Sequence, residues 1–161
     1  MRLKTDSYKY IYKMCSNDFL PYFASGQIVK GFGRGSKALG IPTANFSEDV
    51  VALLPKGFKT GIYYGWAVLE GQIYKMVMSI GWNPFYQNEK KSMEVHILHK
   101  FDRDLHGLEL KVIITGFIRP EKNFDSVDAL IAEINNDIKT ADQLLDKPEM
   151  IAYKSSAFLT N

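Results

Sequence analysis

Short runs of apolar residues occupy the first three quarters of the chain, and one longer run with helical spacing follows them. The short runs are rich in β-branched and aromatic residues and are bounded by Gly, Asn and Asp, which is typical of strands. We predict at least five strands, at residues 26–30, 61–69, 73–80, 92–100 and 108–118. The turn at Glu70-Gly71-Gln72 indicates that the second and third strands form a hairpin.

No helical segment is predicted between these strands. Strands that are joined without crossover helices favour antiparallel pairing. A small antiparallel sheet hides its edges most completely when it closes into a barrel. The expected fold is therefore mainly β, with a closed antiparallel barrel.

The longer apolar run predicts an amphipathic helix. Its apolar residues recur at the three-to-four spacing of one helical face, at Val127, Leu130, Ile131, Ile134, Ile138, Ala141 and Leu145. Asp125 or Ser126 is placed to cap the start of this helix, and Pro148 lies beyond its end. The apolar face should cover the outside or one mouth of the barrel, and residues 148–161 remain as a short tail that could be mobile.

Composition narrows the class of protein. The 161 residues are enough for one domain, and 20 basic against 18 acidic side chains give a formal charge of +2, which argues against bulk attraction to nucleic acid. No apolar run approaches the roughly 18 residues of a membrane span. The single cysteine, Cys15, has no internal partner, which favours a reducing compartment. Residues 1–20 lack the apolar core of a secretory signal and read as a docked or frayed extension, with an organellar presequence as the alternative.

The stretch GFGRGSKALGIPTANF, at residues 31–46, is typical of a phosphate-binding loop, but it matches neither common type. Ser36 stands where the dinucleotide fingerprint needs its third glycine, and Gly35-Ser36-Lys37 has the wrong order for a P-loop. We therefore expect loop amides and Lys37 to hold phosphate, without a helix N-terminus.

Thr43 and Asn45 lie two residues apart at the end of this stretch, so an extended backbone would put both side chains on one side. Their oxygens could both reach Mg²⁺, which commonly takes few protein ligands beside phosphates and waters. An ordinary turn explains the same residues equally well.

Glu94 is the candidate catalytic residue of the fourth predicted strand, where strand propensity would not have chosen a carboxylate. An arginine nearby, such as Arg119, would keep Glu94 ionised and ready to accept a proton from an alcohol. The alternative is a surface glutamate paired with a lysine. The histidines predict no zinc site, because His96 and His99 should face opposite sides of one strand and His106 lies in a loop.

The segment at residues 119–125 joins the last strand to the helix and is placed where a lid would hinge. Phe124 could cover a flat ring while Arg119 meets an anion. Alternatively, Phe124 is a hydrophobic staple ahead of the helix cap.

Five stretches occur in an order that is known from one family: GFGRGSKALGIPTANF, TGIYYGWA, MVMSIGWNPFY, KSMEVHILH and GFIRPEKNFDS. Over about residues 21–147 they resemble the riboflavin kinase (flavokinase) family, of the eukaryotic single-domain type. The resemblance implies a six-stranded, closed antiparallel β-barrel of Greek-key type with a C-terminal α-helix packed on it, flanked by an extension at residues 1–20 and a tail at residues 148–161. It also implies transfer of the γ-phosphate of ATP to the ribityl 5′-hydroxyl of riboflavin, giving FMN and ADP.

The resemblance also implies roles for individual residues. Thr43 and Asn45 would bind the metal, and Glu94 would be the catalytic base. The remaining positions would contact substrates, with ATP at Gly31, Lys37, Thr43, Ile97, His99 and His106, and riboflavin or FMN at Arg119 and Phe124. The turn Asp104-Leu105-His106-Gly107 departs from the family, which usually has tyrosine where His106 stands. The resemblance implies an aromatic contact near the nucleotide at this position, so its replacement by imidazole should affect the affinity for ATP more than the reaction itself.

The implied cofactor is Mg²⁺, with Zn²⁺ or Mn²⁺ as alternatives, and ATP is the co-substrate. The expected partners are riboflavin, ATP and their products, with no nucleic acid and no membrane, for a cytoplasmic or organellar monomer. We do not expect FAD synthesis, because the chain has no room for an adenylyltransferase domain. Two other classes remain as alternatives: a non-catalytic flavin- or nucleotide-binding barrel, and a small barrel that binds nucleic acid.

Overall fold

Six β-strands form a closed barrel in the computed structural model, which describes residues 19–31, 39–83 and 86–161. The strands are β1 (Tyr22–Val29), β2 (Ala44–Phe46), β3 (Gly61–Leu69), β4 (Gln72–Trp82), β5 (Lys91–Ile97) and β6 (Glu109–Arg119). Their order around the barrel is β1-β2-β5-β4-β3-β6, and every neighbouring pair is antiparallel. The predicted closed antiparallel barrel is confirmed.

The side chains of each strand alternate between the barrel interior and its outer face. On β5, Met93, Val95 and Ile97 are buried in the interior, whereas Glu94 and His96 face outward and stay partly exposed. The interior is filled by residues from all six strands and holds no charged side chain among those described. The charged side chains that could take part in chemistry therefore lie outside this interior cluster.

One long helix packs on the outside of the barrel. We number the helices α1 (Glu48–Val51), α2 (Val127–Leu144), α3 (Pro148–Ile151) and α4 (Ala157–Thr160), with a 3-10 turn at Ala152–Ser155. At the start of α2, the Ser126 hydroxyl accepts a hydrogen bond of 3.1 Å from the Ala129 amide, so Ser126 is the cap. Ala141 and Leu145 are fully buried at the end of α2, against β3, β4 and β6. Of the two positions predicted for the helix, the outer wall is correct.

The observed strands and helices differ from the sequence prediction at three places. The prediction missed β2, which has only three residues, and it placed the start of β1 four residues late. It was also wrong to expect no helix between strands, because α1 lies between β2 and β3. The hairpin was predicted correctly. Glu70 and Gly71 form its two-residue turn with φ of 48° and 78°, the left-handed values that suit the twist of the strands.

The C-terminal tail is ordered against the barrel. The Trp66 indole donates a hydrogen bond of 2.8 Å to the Met150 carbonyl oxygen, and Leu159 is buried. The Phe158 ring lies edge-on to Phe23, with 5.2 Å between the ring centroids. The tail therefore covers outer-face surface that α2 does not reach. In the described residues, every helix is too short or too polar to cross a membrane.

Candidate active site

A row of directly paired residues runs from strand to strand around the outer face of the barrel and includes the candidate site residues. Asn45 on β2 lies opposite Glu94 on β5, which lies opposite Ser79 on β4. Ser79 in turn lies opposite Ile62 on β3, and Ile62 lies opposite Arg119 on β6. Directly paired residues point to the same side of an antiparallel sheet, so the row shares one face. Two residues that are far apart in sequence, Asn45 and Glu94, thus become immediate neighbours.

Thr43 completes a cluster with these two residues. Its hydroxyl lies 3.4 Å from Glu94 Oε2, in a geometry that lets it donate a hydrogen bond. Asn45 is only 6% exposed, and its Oδ1 atom has no hydrogen-bond partner among the described residues. A buried acceptor without a partner is costly and calls for an explanation. A bound cation would give Asn45 Oδ1 a partner. The oxygens of Thr43 and Asn45 are therefore chemically suited to hold a metal.

Gly31 lies directly against Asn45. A Cβ atom at this glycine would come within 2.5 Å of Asn45 Nδ2 and 3.2 Å of its Cγ. Only glycine lets the chain after β1 approach this closely. Lys37 and the other residues of the predicted phosphate loop at positions 32–38 lie outside the described residues.

A cleft of about 1390 Å³ opens beside the cluster. Of the residues predicted to bind ATP, it is lined by Thr43, Ile97, His99 and His106. Residues of α2, including Asn135 and Lys139, form part of its wall. The structure therefore brings together, around one cavity, predicted residues from the loop before β2, from β5 and from the segments that follow it.

One feature of this cleft differs from the sequence prediction. β5 ends at Ile97, so His99 is not on the strand and its orientation does not follow strand alternation. Instead, the His99 ring packs with two aromatic rings, at 4.9 Å from Tyr74 and 4.8 Å from Phe101 between centroids. His96 does lie on the outer face, and its Nδ1 is 2.8 Å from the Pro42 carbonyl oxygen.

His106 lies in the turn that departs from the family pattern. Its backbone amide donates a hydrogen bond of 3.0 Å to Asp104 Oδ1, and its ring Nδ1 lies 3.0 Å from the same atom. This backbone hydrogen bond is the main reason that the pKa of Asp104 lies below its usual value. The contact with Asp104 holds the imidazole at the edge of the cleft.

Arg119 does not contact Glu94, and the prediction that it would orient Glu94 was wrong. Three strand spacings separate the two residues along the row, which is about 14 Å. The guanidinium instead donates to Asp137 on α2, with Nε at 3.0 Å and 3.2 Å from the two carboxylate oxygens and Nη2 at 2.8 Å. Among the described residues, the hydroxyl of Thr43 lies beside the Glu94 carboxylate.

Phe124 lies close to Arg119, a proximity that was not predicted from the sequence. The guanidinium carbon of Arg119 is 5.8 Å from the Phe124 ring centroid, and Lys122 Nζ is 5.4 Å from it. Both distances are within the range of a cation–π contact. The alternative role as a hydrophobic staple is not needed to explain the position of this ring.

Sequence reasoning missed Asp137, Glu133 and Lys122. Asp137 carries a readable signal, because it lies three residues after Ile134 and four before Ala141 and so falls on the apolar face of the helix. A carboxylate on such a face requires a buried partner. Lys122 and Glu133 have no such signal, since both are charged residues at positions where exposure is the default.

Comparisons with known proteins agree with this architecture. The sequence model of the flavokinase family, described as riboflavin kinase, matches residues 19–145. Riboflavin kinase from Homo sapiens is 59% identical over 140 residues, which cover 86% of this chain and 90% of the human protein. A bifunctional riboflavin kinase/FMN phosphatase from Arabidopsis thaliana is 48% identical over 141 residues, covering 87% of this chain and 37% of the plant protein.

A solved structure supports the same relationship. The crystal structure of riboflavin kinase from Trypanosoma brucei matches with a TM-score of 0.71 at 28% identity, and the match covers 90% of this chain and 92% of that chain. The chain therefore belongs to the riboflavin kinase family.

Proposed function

We propose that this member of the riboflavin kinase family phosphorylates the ribityl 5′-hydroxyl of riboflavin with ATP, giving FMN and ADP, with Glu94 as the catalytic base. The observation that carries the proposal is the contact of Glu94 with Thr43 and Asn45 beside a large cleft. A non-catalytic binding barrel would have no need for a carboxylate beside these oxygens.

Glu94 would accept the proton of the ribityl hydroxyl while the hydroxyl oxygen attacks the γ-phosphorus. The bond from this phosphorus to the bridging oxygen breaks, and ADP leaves with the electron pair. Positioning and charge neutralisation dominate such a reaction, because its transition state is loose and strongly anionic. The hydrogen bond from Thr43 fixes the carboxylate where the row of paired residues presents it to the outer face.

Thr43 and Asn45 would hold the divalent metal through the threonine hydroxyl oxygen and Asn45 Oδ1. The buried Oδ1, which lacks a hydrogen-bond partner in the described residues, fits this assignment. When bound, the metal would neutralise phosphate charge. Oxygen ligands of this kind favour Mg²⁺ over Zn²⁺, since zinc sites are typically built from Cys and His.

The nucleotide would lie in the cleft, against Ile97, His99 and His106. Its phosphates would approach Thr43, where Gly31 lets the backbone come close to Asn45. Lys37 would add a positive charge from the loop. Apolar side chains such as Ile97 would contact the base, while the polar and charged side chains of the cleft wall would meet the ribose and the phosphates.

Riboflavin would lie along the row on the outer face, with its ring near Phe124 and its ribityl chain directed towards Glu94. About 14 Å of sheet surface separates Arg119 from Glu94 across three strand spacings, which suits an elongated molecule. Ser79 and Ile62 form the surface between these two ends.

The test is the substitution Glu94→Gln, which keeps the shape of the side chain and removes its basicity. We expect kcat for FMN formation to fall by about two to four powers of ten, the usual contribution of a positioned base, while the dissociation constants for ATP and riboflavin change little. FMN is measured by chromatography, and binding by quenching of riboflavin fluorescence and by calorimetry with ATP.

Glu109→Gln is the matched control, because Glu109 is an exposed glutamate on β6 outside the site. It should retain the original kcat. If Glu94→Gln has the same kcat as this control, Glu94 is not the catalytic base. If the unsubstituted protein forms no FMN with any divalent metal, the proposed activity itself is refuted.

A further inference from the structure

Asp137 is a buried carboxylate on α2 that the proposed chemistry does not use. It is only 2% exposed, and it accepts three hydrogen bonds of 2.8–3.2 Å from Arg119. A charge so deeply buried is tolerated only when it is paired and hydrogen-bonded. Since the Arg119 side chain is itself only 15% exposed, each of the two charges depends on the other.

Arg119 connects Asp137 on α2 with other residues of the segment 119–125. Its Nη1 donates a hydrogen bond of 3.1 Å to the Pro120 carbonyl oxygen, and its guanidinium lies over the Phe124 ring. Asp137 fixes the plane of the guanidinium. The Pro120 carbonyl oxygen and the Phe124 ring therefore both contact a group that is held in place.

Glu133 repeats the arrangement one helical turn earlier. Its Oε1 lies 3.4 Å from Arg119 Nε and 3.2 Å from Lys122 Nζ. The spacing of four residues places Glu133 and Asp137 on the same side of α2. Two carboxylates on the helix thus hold the two cations that flank Phe124.

We propose that Asp137, assisted by Glu133, is a positioning residue for riboflavin: it locks Arg119 and thereby holds Phe124 where the flavin ring binds. The inference rests on the proposed contact of Phe124 with riboflavin. It also revises the sequence prediction for Arg119. Because the charge of Arg119 is already balanced by two carboxylates, Arg119 organises the segment and is not the anchor for an anionic phosphate.

The principal test is Asp137→Asn, which keeps the volume and removes the charge. We expect the KM for riboflavin to rise roughly tenfold, because loosening the segment displaces the ring contact. The KM for ATP should rise by a clearly smaller factor, since Asp137 holds Arg119 and does not itself line the cleft, although its neighbours on α2 do. A purely structural role would lower the melting temperature without separating the two KM values.

Two further variants protect the test against misfolding. The double variant Arg119→Met/Asp137→Leu removes both buried charges together, so it leaves none unpaired. Glu133→Gln is milder, because Glu133 is partly exposed, and should raise the KM for riboflavin by a smaller factor. If Asp137→Asn fails to fold, the double variant tests the positioning role instead, through the rise in the KM for riboflavin relative to the KM for ATP.

Asp146→Asn is the control for loss of an acidic residue next to the same helix. Asp146 pairs with Lys75 at 2.7 Å and is largely exposed, and it contacts neither the segment 119–125 nor the cleft. Both KM values should stay at the original level in this variant. All measurements are made well below the melting temperature of the least stable protein.

Phe124→Ala separates this inference from the proposal beneath it. If Phe124→Ala raises the KM for riboflavin but the folded Asp137 variants do not, the positioning role is refuted and the flavin site stands. If Phe124→Ala leaves the KM for riboflavin unchanged, both are refuted. Equal increases in the two KM values of Asp137→Asn would also refute the inference.

Discussion

Gly31→Ala offers a direct test of how tightly the chain packs around Asn45. The new Cβ atom would lie 2.5 Å from Asn45 Nδ2, whereas ordinary contacts begin at 3.4 Å, so the amide must move by about 0.9 Å. The backbone of Gly31 does not have a left-handed φ, so alanine introduces no conformational strain of its own. Among the described residues, the collision of the new Cβ atom is with Asn45.

Asn45 has little freedom to escape this collision. Its strand is paired on both sides, with Val29 on β1 and Glu94 on β5, and its side chain is 6% exposed. Overpacking of this kind costs about 1–3 kcal/mol. For a chain of this size each kcal/mol lowers the melting temperature by about 2–4 °C. Moving the proposed metal ligand by about 1 Å should also lower kcat/KM by up to about 100-fold.

The assay combines thermal unfolding with FMN formation over a range of Mg²⁺ concentrations. We expect the variant to need more Mg²⁺ for half-maximal activity, because Asn45 Oδ1 moves together with the rest of the amide. Gly71→Ala is the control. Gly71 has a left-handed φ of 78° in the β3–β4 turn, and a Cβ atom there would meet no described atom within 4 Å.

Gly71→Ala should therefore lose about 1–2 kcal/mol of stability through backbone strain without changing the Mg²⁺ requirement. The comparison separates a general loss of stability from displacement of Asn45. If Gly31→Ala keeps both the original kcat and the original Mg²⁺ requirement, Gly31 does not hold Asn45 in a position that metal binding requires.

Two further substitutions extend these tests. Asn45→Asp should retain more FMN formation than Asn45→Ala, because a carboxylate can still ligate Mg²⁺, and equal losses in the two variants would mean that Asn45 has only a structural role. Trp66→Phe removes the 2.8 Å hydrogen bond to the partly buried Met150 carbonyl, so the free energy of unfolding should fall by about 0.5–1.5 kcal/mol in denaturant titrations, while kcat stays the same. Unchanged stability would mean that this contact of the tail contributes little to the fold.

Local patterns in the sequence predicted most of the secondary structure. The β3–β4 hairpin follows from β-branched and aromatic content and from the Glu70-Gly71 turn, and the start of α2 follows from the Ser126 cap. All of these act between near neighbours in the chain. β2 escaped prediction because three residues are too few to show any periodicity. It exists because β1 and β5 offer it hydrogen-bond partners on both sides.

Glu94 illustrates what a strand pattern can and cannot say about a site. Because side chains alternate along a strand, the Glu94 carboxylate faces away from Met93 and Val95. Alternation could not say which residues share that face, since these come from other strands. The row of paired residues supplied Asn45 as a direct neighbour, and the segment before β2 supplied Thr43.

The sequence by itself determined that the chain forms an antiparallel barrel with one outer helix, because turn chemistry and hydrophobic periodicity are local properties that each segment carries alone. Only the tertiary structure decided the partners of its charged residues. Arg119 was expected beside Glu94 and lies instead against Asp137, because the register of four strands and the packing of α2 fix which side chains meet. Register and packing depend on contacts between residues that are distant in the sequence, and no local pattern records them.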